Sequence, residues 1–197
     1  MTMKKEEKNR LFSKKNMVSA FIIFIMVSSV IGFMWGRSGS VQKEEYKGMV
    51  FVLKENQWVI EINDMNFEFD FFPTETENIN VSPSIASKMK NTLEIDSTYN
   101  LNDSQAKAIV LSQYRMSQIL ARLNIYLRMG LADENDFNLP IIDCDDATDL
   151  VPVLYFESSN QTKISLKGNC IIAESRNADD FIRIKDRLLY AILGVIS

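Results

Sequence analysis

Alternating hydrophobic and polar positions dominate the chain just beyond residue 48. Apolar side chains recur at every second position in three short runs, and short polar segments separate these runs. A period of two is typical of β-strands that bury one face, and closely spaced runs of this kind predict an antiparallel meander. The three predicted strands are Met49 to Leu53, Trp58 to Ile62 and Phe67 to Phe71.

The pattern between residues 82 and 130 changes from strand to helix and back. Ser82 followed by Pro83 is a helix start signal, and this short helix extends through Met89. Asn102 or Asp103 is expected to cap a longer helix further along. The remaining predicted elements are a strand at Leu93 to Tyr99, the long helix to about Leu120 and a strand from Arg122 to Met129. An uninterrupted helix to Met129 is the alternative for this last part, because no helix breaker stands within it.

The C-terminal third predicts one buried strand, a hairpin and a helix. The strand is Val151 to Phe156, the hairpin joins Lys163 to Leu166 with Cys170 to Ala173, and the helix is Asp179 to Ile196. The first half of this helix is amphipathic, with a predicted solvent-facing side formed by Arg183, Lys185, Asp186 and Arg187. Its second half, Leu188 to Ile196, has no polar face, so we expect burial in the core of the domain.

A long apolar stretch precedes all of these elements. Met17 to Trp35 contains no charged residue, and a helix of this length rises about 28 Å, close to the roughly 30 Å hydrocarbon core of a bilayer. The sequence therefore predicts an α+β protein with one N-terminal transmembrane helix and a single extracytoplasmic domain with a meander, a βαβ-like middle, a hairpin and a C-terminal helix. The predicted divisions are a basic cytoplasmic tail at 1–16, the span at 17–35, a linker at 36–48 and the domain at 49–197.

Basic residues flank the apolar stretch unequally, which predicts its orientation. Six Lys and Arg lie on the N-terminal side within residues 4–15, so the positive-inside rule places the N-terminus in the cytoplasm. The predicted localisation is thus the cell membrane, single-pass, with the lipid bilayer as one partner and the domain outside. A cleaved signal peptide ending near Ser40 is the alternative, because Ser38, Gly39 and Ser40 are small.

Charge and composition exclude several functional classes. Residues 41–197 contain 15 Lys and Arg and 24 Asp and Glu, an acidic balance that repels phosphate backbones and argues against nucleic-acid binding. The chain contains no His, which removes the usual general base and the commonest metal ligand. We therefore expect no cofactor and identify no catalytic residue, and the acidic surface is suited to basic partners or metal ions.

Two cysteines and three sequons are the candidate covalent sites. Cys144 and Cys170 are an even pair in a domain predicted to lie in an oxidising compartment, which indicates one disulfide. Two unpaired buried thiols are the alternative. Glycosylation sequons begin at Asn80, Asn102 and Asn160, all at predicted loop, cap or turn positions.

A compact acidic stretch, residues 143–149, raises the possibility of a calcium site. The EF-hand pattern requires Gly where Thr148 stands and Glu where Leu154 stands, so that motif is absent. Capping of a one-turn helix by Asp145 and Asp146 is the favoured interpretation. The four carboxylates of the stretch are Asp143, Asp145, Asp146 and Asp149.

The C-terminal region carries a resemblance to a group of proteins. The segment Asp180 to Tyr190, together with the upstream Cys170 to Glu174 and the N-terminal apolar stretch, resembles small single-pass membrane proteins of unassigned function from archaea. The resemblance covers most of the chain and implies no activity and no functional residue.

Three functions from different classes are consistent with these observations. The first, which we favour, is a non-enzymatic binding or accessory subunit of an envelope complex with a protein partner. The second is an extracytoplasmic enzyme that uses carboxylates and a metal, and the third is a thiol-disulfide protein that uses Cys144 and Cys170.

Overall fold

The computed structural model describes residues 14–36 and 42–196, which form two compact units. The first unit contains helix α1, Lys14–Gly36. The second unit begins at Gln42 and contains nine strands and four further α-helices within its described residues. The strands are β1 Lys43–Tyr46, β2 Met49–Lys54, β3 Gln57–Ile62, β4 Met65–Phe69, β5 Glu94–Tyr99, β6 Tyr126–Met129, β7 Val153–Ser158, β8 Lys163–Lys167 and β9 Cys170–Ser175. The helices are α2 Pro73–Thr76, α3 Pro83–Lys90, α4 Ala106–Arg122 and α5 Ala178–Leu193.

Strands β1 to β4 form an antiparallel meander in chain order. Each of its three turns is two residues long, and both residues of each turn have positive φ, from 49° at Lys47 to 81° at Gly48. Such turns follow the right-handed twist of the flanking strands. The predicted meander is confirmed, but strand β1 lies inside the segment that the sequence predicts as a linker, 36–48.

The second sheet is mixed, with strand order β6-β5-β7-β9-β8. Strands β5, β6, β7 and β9 are parallel, and only the edge strand β8 is antiparallel, in a hairpin with β9. Helix α4 connects the parallel neighbours β5 and β6, so the predicted βαβ middle and the predicted hairpin are both confirmed. The chain is thus an α+β protein with one antiparallel and one mixed sheet.

The long helical segment predicted after residue 102 divides as expected. Helix α4 ends at Arg122 and strand β6 begins at Tyr126, so the alternative of an uninterrupted helix is wrong. The break lies at Asn124, whose φ of 60° is left-handed, a conformation that Asn tolerates better than most residues. Sequence inspection did not identify this residue as the helix breaker.

Helix α5 lies between the two sheets. Its Tyr190 ring stacks on Phe69 of the meander, with 4.1 Å between ring centroids, and the Tyr190 hydroxyl donates to the Phe71 carbonyl oxygen at 2.7 Å. About two and a half turns earlier, Phe181 packs edge-on against Phe156 of the mixed sheet. The predicted burial of the helix end is confirmed, because six of its side chains are at most 4% exposed. They are Leu188, Leu189, Tyr190, Ile192, Val195 and Ile196.

The predicted solvent-facing side of this helix is largely wrong. Lys185, Asp186 and Arg187 are 1%, 0% and 4% exposed. The Asp186 carboxylate accepts hydrogen bonds from the backbone N–H groups of Asp70 and Phe71, both at 2.9 Å. These contacts bury the charged side of α5, because the chain that leaves the meander packs across it. The helical spacing of apolar residues in a sequence indicates one apolar face and does not show that a second face is covered as well.

A small ion network compensates the buried charges on α5. Lys185 Nζ lies 2.5 Å from one Asp186 carboxylate oxygen and 2.8 Å from Asp70, which also pairs with Arg115 of α4. Burial raises the pKa of Asp186 to about 6, while the Lys185 ammonium acts in the opposite direction. The pKa of Asp70 is lowered: its partial burial acts to raise it, but the Lys185 and Arg115 charges together outweigh burial. The network joins three elements that are distant in sequence.

The predicted transmembrane helix and localisation are contradicted. No helix within residues 14–36 and 42–196 is long and apolar enough to cross a membrane. The prediction of a span from Met17 to Trp35, and of a single-pass cell-membrane protein with its domain outside, is corrected accordingly. The predicted tail at 1–16 lies almost wholly outside the described residues.

We predict that Asp186→Ala lowers the free energy of unfolding by about 3 to 5 kcal/mol. The substitution removes the acceptor of two backbone N–H groups and one of the two carboxylates that neutralise a buried lysine. Urea denaturation of the full chain, followed by tryptophan fluorescence, measures this change. Asp136→Ala, at an exposed loop position, is the control and should change stability by less than about 0.5 kcal/mol. A loss below about 1 kcal/mol for Asp186→Ala would contradict the role of the network.

Candidate functional site

The loop formed by residues 130–152 crosses the face of the mixed sheet that is opposite to the helices. Side chains of β7 alternate between the two faces: Leu154 and Phe156 enter the main core, whereas Val153 and Tyr155 belong to a separate small cluster under the loop. The Thr98 hydroxyl fixes the loop by donating to the Ile142 carbonyl oxygen at 2.8 Å. The loop thus covers part of this face and leaves the rest open.

Cys144 and Cys170 connect this loop to the sheet. Cys144 lies in the loop and Cys170 is the first residue of β9, and their Cα atoms are 5.2 Å apart, within the range of a disulfide. Cys170 is fully buried, whereas Cys144 is partly exposed. The predicted pairing therefore agrees with the geometry, and the bond holds the loop beside the open part of the sheet face.

An acidic pocket of about 340 Å³ lies at this junction. Its ionisable side chains are three carboxylates and one phenol, and none of the three carboxylates forms a salt bridge with another described residue. The pocket is lined by Asp143, Cys144, Asp145, Tyr155, Glu157 and Ile172. We refer to this set as the acidic pocket.

Like charges are brought together along the sheet beside the pocket. The register of β7 and β9 places Glu157 directly opposite Glu174, an arrangement that is destabilising without compensation. Glu174 pairs with Lys163 at 3.0 Å, which leaves Glu157 without an ion pair among the described residues. Burial, followed by the charges of Glu174 and Asp103, raises the pKa of Glu157. The site therefore holds negative charge at an energetic cost.

Tyr155 lies among the same charges. Burial raises the pKa of its phenol most, followed by the charges of Glu157, Asp133, Asp103 and Asp143. These carboxylates come from the strand itself and from two loops, so their electrostatic effects converge on one aromatic ring. An aromatic ring surrounded by carboxylates is an environment that stabilises cations.

The pocket runs along β7 and β9, from Cys144, bonded to the first residue of β9, to Glu157 near the carboxyl end of β7. Strand β5 connects through α4 to β6 on one side, whereas β7 lies on its other side, so the chain changes direction between β5 and β7. Ligands of open α/β sheets bind preferentially in the crevice at such a switch point. Asp103, in the loop after β5, spans this crevice by accepting from the Ser158 N–H at 2.7 Å. Hydrogen bonds from Ser158 and Gln105 outweigh burial and lower the pKa of Asp103.

The structure separates the four carboxylates of the acidic stretch. Asp143 caps a short 3₁₀ helix, Cys144–Asp146, by accepting from the Asp145 N–H at 2.7 Å, and Asp146 accepts from the Asp143 N–H at 2.9 Å. Capping is confirmed, although Asp143 and Asp146 perform it rather than Asp145. Asp149 lies 3.9 Å from Lys88. Within residues 14–36 and 42–196 no group of three Cys, Asp or Glu side chains is arranged to hold a metal ion.

The three sequon asparagines occupy exposed positions. Asn80 precedes α3, Asn102 follows β5, and Asn160 lies in the turn between β7 and β8. This exposure is compatible with glycosylation, which remains a prediction.

Sequence analysis missed Glu157 and Tyr155 as members of the site. The sequence signal that could have identified them is the alternation along β7. Tyr155 and Glu157 each follow a buried residue, Leu154 and Phe156 respectively, and are themselves only partly buried. Their proximity to Asp143 and Glu174 depends on strand order and register, which periodicity does not show.

No family model, curated protein or solved structure matches this chain.

We predict that the Cys144 to Cys170 bond stabilises the fold by about 3.5 kcal/mol, because it closes a loop with a sequence separation of 26. Unreduced peptide mass spectrometry should show the two cysteines linked, and dithiothreitol should lower the unfolding midpoint of the native chain. A Cys144→Ser, Cys170→Ala variant is the control and should be insensitive to dithiothreitol. Two free thiols in the purified native protein would contradict the prediction.

We predict that Glu157→Gln raises stability at neutral pH and has no effect in acid. The pKa of Glu157 is higher in the folded state than in the unfolded state, so ionisation of this carboxyl is less favourable in the folded protein. The free energy of unfolding of the native protein therefore falls as the pH rises from the unfolded pKa through the folded pKa. The stability difference between variant and native protein should be near zero below the unfolded pKa and reach its maximum near pH 7. Thermal melts between pH 3 and pH 8 measure it, at about one-unit intervals. A difference that is constant across this range would exclude the electrostatic cause.

Proposed function

We propose that this protein is a non-enzymatic binding or accessory subunit that recognises a positively charged segment of a partner protein. The proposed binding site is the acidic pocket. The observation that carries the proposal is that Asp143, Asp145 and Glu157 line one concave site and lack ion pairs among the described residues.

The shape and chemistry of the pocket support a Lys or Arg side chain as the group recognised. A volume of about 340 Å³ accommodates the end of a long side chain, and Tyr155 offers a ring face to its cationic group. A bound cation would also reduce the electrostatic repulsion between Glu157 and Glu174. Relief of this repulsion would then contribute favourably to the free energy of binding. The net acidic charge of residues 41–197 attracts such a segment from a distance.

Ordering of the loop supports a preformed site. Asp143 has its backbone and side chain engaged in the 3₁₀ helix, and the cysteine pair fixes the next residue to β9. A site held in this way requires little ordering when a partner binds, which favours affinity.

We predict that a fluorescent peptide rich in Lys and Arg binds the full chain and that Asp145→Asn with Glu157→Gln weakens binding at least about tenfold. Fluorescence anisotropy at several salt concentrations measures the affinity, which should fall as salt screens the charges. The matched control, Glu55→Gln with Asp64→Asn, removes the same charge from meander turns and should bind nearly as the native chain does.

An acetylated peptide, in which lysine charge is removed, tests the chemistry from the ligand side. Weaker binding by the acetylated peptide supports recognition of the cation. Equal losses for the pocket variant and its control would show that only net charge matters and would contradict the proposed site.

A further inference from the structure

An exposed apolar strip follows strand β6. Phe137, Leu139 and Ile141 are 63%, 42% and 55% exposed and occupy every second position of a loop that turns at Asp136 and Phe137 and has a left-handed backbone at Asn138, with φ 56°. Three large apolar side chains in a row at the surface are unusual in a monomer and typical of an interaction site. We refer to these three residues as the strip.

Asn135 fixes the backbone that presents the strip. Its side-chain oxygen accepts from the N–H groups of Phe137 and Leu139 at 3.1 and 3.2 Å, and its side-chain nitrogen donates to the Leu139 carbonyl oxygen at 3.2 Å. Leu131 also bridges to Ile141, which secures the far end. The strip is therefore preorganised, and its exposure follows from this hydrogen bonding.

An apolar cavity lies at another part of the domain. Its volume is about 260 Å³, larger than the roughly 150 Å³ cavity that admits a benzene ring. It opens where the β3 to β4 turn meets the C-terminal ends of α3, α4 and α5. The cavity is lined by Ile62, Asn63, Met65, Phe67, Lys90, Leu123, Ile125, Ile192 and Leu193. We refer to it as the groove.

The charges around the two surfaces are opposite. The strip is flanked by Asp133, Glu134 and Asp136, and residues 131–143 contain no Lys or Arg. Lys90 lines the groove, and Arg122 lies beside it by donating to the Asn66 carbonyl oxygen. Neither Lys90 nor Arg122 forms a salt bridge with another described residue. The adjacent turn contains one acidic residue, Asp64, which does not line the cavity.

The strip of one chain is not placed to fill its own groove. Ile125 of the groove precedes strand β6 and the strip follows it, so the two surfaces lie at opposite ends of the parallel strands. A protruding apolar patch and a complementary pocket at a different place on the same molecule generate a head-to-tail contact between copies.

We propose that the strip of one copy of this chain docks into the groove of a second copy, with Phe137 entering the cavity. The acidic residues beside the strip face Lys90 and Arg122 of the second copy. The contact is heterologous, so each copy uses one surface on each neighbour. It does not involve the acidic pocket and does not depend on the proposed function.

Cross-linking between two differently marked full-length chains tests this contact. One chain carries Glu134→Cys beside the strip and the other carries Met65→Cys at the groove, and a short bis-maleimide links them in a non-denaturing detergent. We expect a cross-linked dimer in the mixture and little in either chain alone. A chain with Tyr114→Cys, at an exposed position on α4, replaces the Met65→Cys chain as the control for random collision or association through α1.

A second variant tests the strip itself. Leu139→Asp in the Glu134→Cys chain should lower the yield of linked dimer at least about tenfold, whereas Tyr114→Asp in the same chain should leave it unchanged. Circular dichroism confirms that each variant is folded. Absence of the mixed dimer, equal yield from either chain alone, or a yield that Leu139→Asp does not lower would each overturn the proposal.

Discussion

Burial of helix α5 between two sheets is the constraint on which the rest of the structure depends. Tyr190 joins the helix to the meander and Phe181 joins it to the mixed sheet, so one helix provides core for both layers. A helix in this position has little surface facing solvent, and its buried charged residues require partners in the interior. Asp186 meets this requirement by binding two backbone N–H groups where the chain leaves the meander. The same interaction therefore satisfies a buried charge and fixes the position of one sheet relative to the helix.

Placement of the helices on one face of the mixed sheet leaves the other face for the loop and the acidic pocket. The loop covers only part of that face. The cysteine pair holds the loop at the edge of the covered part. Beyond it, the partly buried Glu157 and Glu174 lie opposite each other, although like charges in this arrangement are destabilising. The pocket is preformed and keeps these carboxylates together in spite of their repulsion. This is the physical reason for proposing a cationic partner. The apolar strip arises from the same loop but by a different cause, the hydrogen bonds of Asn135.

Local sequence signals were sufficient for some elements and insufficient for others. Alternation predicted three strands of the meander, but β1 was missed because Lys43 to Tyr46 contains a single apolar residue, and its pairing with β2 determines its conformation. The division between α4 and β6 was predicted from the change of apolar spacing from a helical period to a period of two. The cause of the division, the left-handed backbone of Asn124, was not predicted. For the site, residue type predicted capping by Asp145 and Asp146, and the structure shows Asp143 as the N-cap with Asp146 as its partner. Glu157 and Tyr155 were not predicted, because their neighbours are set by strand order.

The sequence alone determined the periods of most strands and helices, the acidic balance, the pairing of the only two cysteines and the burial of the C-terminal apolar segment. These properties depend on residue type and spacing along the chain. Only the tertiary structure decided that Lys185, Asp186 and Arg187 are buried, because a second layer packs against the side of the helix that its period marks as polar. It likewise decided which carboxylates share a pocket, since the register between β7 and β9 joins residues far apart in sequence. Long-range packing and strand register leave no periodic trace in a single sequence, and these two properties set both the core and the candidate site.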